Sequence, residues 1–169
     1  MTTLAREGRA MGSVVAVLTV AGLLGSALMA GVFYAFSAFV MPGLARLPAP
    51  RGIAAMQSMN ITAVRPALML AMFGTAALCV ALIVCAVRGW GSGYAGWLLG
   101  GALLYLVGAV VLTIAFHVPL NDSLAVLDPA SADAAGVWNA YLARWGAGNQ
   151  VRWIAPLAGS GLLAVALLR

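Results

Sequence analysis

The chain alternates between four long apolar runs and shorter polar connections. A helix of about 20 apolar residues spans the hydrocarbon core of a bilayer. We therefore predict four transmembrane helices, near residues 12–41, 67–87, 94–117 and 147–168. The first run is much longer than the apolar region of a signal peptide, so we interpret it as a retained span. The predicted fold class is an all-α membrane protein, with residues 1–169 forming a single four-helix transmembrane domain.

Two of the polar connections carry helical patterns of their own. Pro50 is suited to the first turn of a short helix, which we predict near 50–61. A second short helix is predicted near 130–145, where Trp and Tyr recur at helical spacing. We expect both segments to lie at the membrane surface, on one side of the bundle.

Four residues are expected to limit the helices around them. Pro119 should end or kink the third span, because its ring would clash with a carbonyl of the preceding turn. Pro156 lies inside the fourth span and should kink it. Gly146 and Gly148 weaken helical structure and can separate the second surface helix from the fourth span.

The polar residues of the chain collect at one end of the predicted bundle. With four spans, the connections at 42–66 and 117–149 lie on the same side of the membrane. The opposite end has only the N-terminal tail, a Gly-rich turn and Arg169. The side chains that meet at the polar end are Tyr34, Ser37, Gln57, Asn60, Arg65, His117, Asn121, Asp122, Asn149 and Arg152.

Composition supports a membrane location. Hydrophobic residues make up 64% of the chain and charged residues only 8%, whereas a soluble domain carries about 25% charged residues. The net charge of +5 comes from arginines at helix ends, with no lysine. This pattern indicates an integral, multi-pass protein whose partner is the lipid bilayer, and it argues against nucleic acid.

The distribution of arginines does not indicate how the protein is oriented in the membrane. Four lie on the side of the N-terminal tail and five on the other, so the positive-inside rule is nearly balanced. Because the first helix often dominates topology, we expect both termini to be cytoplasmic.

One stripe of large side chains precedes the fourth span. In a continuous helix, the spacing places its members within roughly 80° of one face. The stripe is an aromatic and polar ladder leading into the membrane, or it is an interfacial helix whose Trp and Tyr lie at headgroup level. Spacing alone favours the interfacial helix. The residues are Trp138, Tyr141, Trp145, Asn149 and Arg152.

The sequence does not predict a metal or cofactor site. It contains one histidine, and Cys79 and Cys85 lie in the second span, far from the polar end. Zinc or iron would need two or three nitrogen, sulfur or carboxylate ligands. There is also no Gly-rich phosphate loop after a strand and no Ser-His-Asp order typical of a hydrolase.

Five polar residues are candidates for catalysis. His117 is either a base near the membrane surface or a satisfied interfacial residue, and taken alone the second interpretation is favoured. Asp122 and Arg152 can form an ion pair at the mouth of the bundle, because a lone buried charge is costly. Asn121 and Asn149 can donate hydrogen bonds to a phenolate or another oxyanion.

Other side chains at this end suit contact with an aromatic ligand. Hydroxyls end the first span, amides lie on the first short helix, and the stripe offers flat rings. The expected substrate-binding residues are Tyr34, Ser37, Gln57, Asn60, Trp138, Tyr141 and Trp145.

Two groups of segments resemble the signatures of the anthrone oxygenase-like family of small membrane proteins. The first group is GVFYAFSAFVMP at 31–42, LARLP at 44–48 and GIAAMQ at 52–57. The second is VPLND at 118–122, Asp128-Pro129, WNAYL at 138–142, Trp145 and NQVR at 149–152. The resemblance covers nearly the whole chain in the right order. Two positions depart from the family pattern, which has Asn where this chain has His117 and an aromatic residue where it has Gly148.

The resemblance implies an activity and a location. Family members oxidise an anthrone to an anthraquinone with O₂ and without a cofactor, which requires a base, oxyanion donors and a dry aromatic slot. Bacterial members imply the inner membrane, and the substrate is an electron-rich, hydrophobic polycyclic phenol. The alternative is a non-catalytic membrane protein that binds a small hydrophobic molecule or supports a larger complex.

Overall fold

The structure is a computed structural model that describes residues 11–169. Residues 1–10 of the predicted N-terminal tail (1–11) lie outside the described residues. The described part contains no strand and forms five helices. They are α1, Ser13–Ala45; α2, Ala49–Ala63; α3, Pro66–Arg88; α4, Ala95–Ala125; and α5, Ala134–Leu167. All except α2 are long and apolar enough to cross a membrane, with mean hydropathy between 1.3 and 2.6. The predicted all-α class with four spans is therefore confirmed.

The fourth span begins earlier than predicted. The segment near 130–145 is not a separate surface helix, because α5 continues without a break through Gly146 and Gly148. The stripe on α5 is buried along its whole length, and this burial outweighs the weak helical preference of two glycines. At 34 residues, α5 is roughly 51 Å long, which exceeds the hydrocarbon thickness of about 30 Å. Its first turns therefore project beyond the membrane core.

Pro42 and Pro119 lie inside continuous helices, and a π turn precedes each of them. In α1, a π turn at Phe36–Val40 lets the Met41 N–H donate to the Phe36 carbonyl, five residues back. In α4, a π turn at Thr113–His117 lets the Val118 N–H donate to the Thr113 carbonyl in the same way. Each proline is the next residue, Pro42 or Pro119. The wider turn changes the carbonyl pairing just before the ring, so α4 runs on to Ala125 instead of ending at Pro119.

Small residues hold the spans together in the half of the bundle away from the polar end. Where α4 and α5 cross, a Cβ added to Gly101 would lie 2.8 Å from the Gly159 carbonyl oxygen. Where α1 meets α3, a Cβ added to Gly22 would lie 2.9 Å from Leu82. Such close backbone approach is typical of packed membrane helices. We call this region the closed half of the bundle.

Helix α2 folds over the polar end and fixes its geometry. Its own residues Ile53 and Met56 are buried on the inner face, and Gly52 lies against the Trp138 ring of α5. The side-chain amide of Gln57 donates to the carbonyls of Leu124 and Leu127 at 2.9 and 3.0 Å. These bonds satisfy carbonyls at the end of α4, which a helix terminus leaves without partners. We call the region under α2 the open half, because it contains a cavity.

Candidate functional site

The open half contains a cavity of about 210 Å³ lined by all five helices. An apolar cavity of roughly 150 Å³ is large enough to bind benzene, so this one can take more than a single ring. Most of the wall is apolar, and much of it is made of flexible side chains that adapt to irregular ligands. The methionines in the wall are Met29, Met56, Met59, Met69 and Met72.

The structure divides the predicted site residues into two groups. Five line the cavity: Asn60, His117, Asn121, Trp145 and Arg152. The other seven do not, and they are Tyr34, Ser37, Gln57, Asp122, Trp138, Tyr141 and Asn149. Both groups contain amides and aromatic rings, so residue type alone did not separate them.

Arg152 is the charged residue of the cavity wall. Its guanidinium carbon lies 4.0 Å from the centre of the Phe33 ring and 5.6 Å from that of Trp145. Cation–π contacts of this kind partly offset the cost of burying the charge. The side chain is only 8% exposed, and its Nε has no hydrogen-bond partner. This N–H is therefore a buried donor without an acceptor beside the cavity.

The expected ion pair between Arg152 and Asp122 does not form. Asp122 is exposed, while its neighbour Asn121 lines the cavity. Consecutive helical positions point about 100° apart, so only one of the two could face inward. The amide faces the cavity and the carboxylate faces out, and Arg152 lies on aromatic rings instead.

His117 is fully buried at the end of the π turn Thr113–His117. Its Nδ1 lies 3.3 Å from the Leu112 carbonyl oxygen, and this contact assigns the proton to Nδ1 because a carbonyl can only accept. Nε2 then carries the free lone pair and has no hydrogen-bond partner. The Trp145 carbonyl oxygen also lies near the imidazole ring. A neutral imidazole with one unpartnered ring nitrogen can act as a base.

Trp145 lies between these two groups. Its ring meets the His117 ring edge-on, with centroids 5.3 Å apart. The guanidinium carbon of Arg152 lies 5.6 Å from the centre of the Trp145 ring. Phe36 packs on it at 5.7 Å. The indole Nε1 has no partner, and neither has the Nδ2 of Asn60. Together with the Nε of Arg152, three buried donor nitrogens without a hydrogen-bond partner belong to residues of this wall.

Two polar residues outside the cavity hold its walls in place. The Asn149 amide donates to the Phe33 carbonyl and to Ser37 Oγ, each at 2.8 Å, which ties α5 to α1 next to the first π turn. The Tyr141 hydroxyl donates to Asn121 Oδ1 at 2.8 Å and orients that amide. Tyr141 also stacks on Trp138 at 5.5 Å.

Tyr34, which was expected to bind substrate, lies at the surface of the bundle and not in the cavity wall. It is 54% exposed and meets Trp153 edge-on at 5.4 Å. The aromatic residues of α1 that line the cavity are Phe33 and Phe36, and the Arg152 guanidinium lies over the Phe33 ring. The only sequence signal for Phe33 was its place in the aromatic end of the first span.

The two departures from the family pattern are in contact with each other. A Cβ added to Gly148 would lie 2.5 Å from Phe116 Cε1 and 3.0 Å from His117 Cε1. The rings of Phe116 and His117 therefore fill the space beside α5 that an aromatic residue at 148 would need. A glycine at this position permits the larger imidazole at 117.

The fold and the cavity define the class of the protein. It is a helical, multi-pass membrane protein with a buried arginine and a buried histidine in an apolar cavity. Among residues 11–169, no three His, Cys, Asp or Glu side chains lie close enough to hold a metal ion. A sequence model described as anthrone oxygenase matches residues 67–162, more than half of the chain.

The chain therefore belongs to the anthrone oxygenase family, as its segments indicated. No curated protein and no solved structure matches it. The matched region contains α3, α4 and most of α5, with His117, Asn121, Trp145 and Arg152 of the cavity. Phe33 and Asn60 lie outside it.

Proposed function

We propose that this protein oxidises an electron-rich polycyclic phenol of the anthrone type to a quinone, using O₂ and no cofactor. The observation that carries the proposal is the pair of buried groups around Trp145, the free Nε2 of His117 and the unpartnered Nε of Arg152. Family membership supplies the reaction class. The apolar cavity supplies a water-poor site for planar rings.

His117 is the base in this proposal, and because the family pattern has Asn at this position, the base is a feature of this chain and is not carried over from the family. Its Nδ1 is held by the Leu112 carbonyl, so Nε2 is free to remove a proton from the activated methylene of the anthrone. The same nitrogen can return that proton later in the cycle. Trp145 and Phe116 fix the ring from two sides, with centroids at 5.3 and 5.2 Å.

Arg152 stabilises the anion that proton removal creates. The charge of an anthrone anion is largely on its carbonyl oxygen, and donors already aimed at that position lower the barrier. The guanidinium is fixed by the Phe33 and Trp145 rings, so little reorganisation is needed. Asn60 and Trp145 add further unpartnered donors for the phenolic oxygens.

Oxygen then reacts with the bound anion. The anion gives one electron to O₂, and the substrate radical and superoxide combine into a C–O bond. His117 protonates the resulting hydroperoxide anion, and loss of water leaves the quinone carbonyl. One O₂ is consumed and one water is released for each anthrone, with two hydrogens leaving the methylene carbon.

The test is O₂ uptake by the purified protein in lipid nanodiscs with hydroxylated anthrones. Uptake and quinone absorbance should rise together in equal amounts, after subtraction of spontaneous oxidation in empty nanodiscs. A matched His117→Gln protein should bind the substrate but oxidise it about 10²–10⁴-fold more slowly than the wild-type protein. If the wild-type protein also binds without accelerating oxidation, it is a binding protein and the proposal is wrong.

A further inference from the structure

The cavity opens at the side of the bundle. Four of its lining residues are also exposed on the outer surface: Val64 at 67%, Phe73 at 45%, Ile114 at 55% and Val118 at 42%. They come from the α2–α3 link, from α3 and from α4. A side chain that faces the cavity and the outside at once marks the opening, which therefore lies between α3 and α4.

The residues that line the other walls are buried or half-buried. On the α2 side, Met56 is 1% exposed. On the α1 side, Met29 is fully buried and Phe33 is 4% exposed. On the α5 side, Trp145 and Arg152 are 3% and 8% exposed. No wall except the one between α3 and α4 combines several lining residues with large exposed fractions.

The opening lies at the depth of the membrane. Phe73 follows Pro66, the first residue of α3, by seven positions, which corresponds to roughly 10 Å along the helix. Val64 precedes α3 and lies near the headgroup level. Because α3 has 23 residues, it is roughly 34 Å long and about matches the bilayer core. Lipid tails, not water, therefore surround Phe73.

The chemistry of the rim agrees with this depth. All four rim residues are apolar, and Arg152, the charged residue of the wall, lies at the buried side. Moving a charged molecule past such a rim is costly, whereas a neutral aromatic molecule is already soluble in the lipid. The flexible side chains of Met59 and Met69 lie behind the rim and can move aside.

We propose that ligands reach the cavity laterally from the bilayer, as neutral apolar molecules, through the opening framed by Val64, Phe73, Ile114 and Val118. This route selects for membrane-dissolved aromatic compounds and excludes water-soluble anions. An anion then forms only inside, beside Arg152. The route concerns access to the cavity and holds whether or not the bound molecule is oxidised.

The experiment uses lipids with brominated acyl chains, which quench tryptophan only on contact. Trp145 is 3% exposed and lines the cavity, so a lipid tail can quench it only by entering through an opening. The full-length protein is placed in nanodiscs of brominated or ordinary phosphatidylcholine. The difference in quenching between the wild-type protein and Trp145→Phe reports contact of lipid tails with Trp145 inside the cavity. We expect this difference to be greater than zero.

Two double variants on α4 locate the path. Ile114→Phe with Val118→Phe narrows the opening and should remove most of the Trp145 quenching. The control is Val107→Phe with Val111→Phe, at positions 59% and 53% exposed that do not line the cavity, and it should leave the quenching unchanged. Phe73→Leu widens the opening and should increase it. Equal quenching in both double variants, or no Trp145 quenching in the wild-type protein, overturns the proposal.

Discussion

The closed and open halves of the bundle use the same helices in opposite ways. In the closed half, α4 and α5 touch at Gly101 and Gly159, where the main chains are too close for any side chain between them. In the open half, the same two helices are separated by the rings of Phe116, His117 and Trp145. Small residues bring the helices together, and large residues keep them apart and leave a cavity.

The difference indicates that the closed half holds the helices in position and the open half contains the reactive side chains. Backbone contact in the closed half fixes the relative position of α4 and α5. His117 and Arg152 then project from a rigid frame, which holds reactive groups more accurately than loops do. The predictions below alter one half at a time, beginning with the largest expected effect.

Gly101→Leu should abolish the folded bundle. The new Cβ would lie 2.8 Å from the Gly159 carbonyl oxygen and from Leu163, and a main-chain group cannot move aside. The cost should exceed the roughly 1–3 kcal/mol typical of overpacking. The control is Gly96→Leu on the same helix, where nothing lies within 4 Å. Thermal melts in detergent compare the two, and equal melting temperatures would contradict the role of close packing.

His117→Gln should lower turnover by about 10²–10⁴-fold, the range for loss of a general base. Glutamine keeps a polar side chain in the site but cannot accept the substrate proton. Turnover of a hydroxylated anthrone is measured together with binding of the quinone product. Retained binding with lost turnover is the expected result, and wild-type turnover would remove His117 from the mechanism.

Arg152→Lys should lower turnover by about 10²–10³-fold, the usual cost of losing an oxyanion donor, with the fold retained. Lysine keeps the charge but lacks the planar group that stacks on Phe33. Arg144→Lys, at an exposed position of α5, is the control. Equal turnover in the two variants would mean that Arg152 does not contact the substrate.

Asn149→Ala should destabilise the protein by about 1–3 kcal/mol, because the Phe33 carbonyl and Ser37 hydroxyl lose a buried donor. Asn139→Ala, exposed on the same helix, should have almost no effect on the melt. The difference in stability between the two variants gives the contribution of the Asn149 hydrogen bonds that join α1 and α5 in the open half.

A strong chelator should leave turnover unchanged, the smallest effect in the series. The proposed electron donor is the substrate anion, which reduces O₂ directly. O₂ uptake is compared before and after chelator treatment and dialysis. Loss of activity that a defined metal restores would show that the site works with a metal ion.

Much of the fold could be predicted because hydropathy is a local property of the chain. Four apolar runs gave four spans, and α2 near 50–61 was placed within a few residues. Helix ends were less accurate at Pro119 and at Gly146, since local preference predicts a break there. The π turn before Pro119 and the buried stripe on α5 removed both breaks.

For the site, the sequence by itself determined which residues meet at one end of the bundle. An even number of spans and the positions of the polar residues suffice for that inference, and family segments named the same region. It also determined that Trp138, Tyr141, Trp145, Asn149 and Arg152 share one helical face, because helical periodicity is fixed by backbone geometry.

Only the tertiary structure decided what each side chain on that face does. Asn149 meets a main-chain carbonyl of α1, and Arg152, three residues later, meets the Phe33 ring and the cavity. Asn121 faces in and Asp122 faces out, although they are neighbours. These outcomes depend on which atoms of other helices lie opposite. The partner of a buried polar group is set by the packing of distant segments, whereas the tendency to cross a membrane is set by the segment itself.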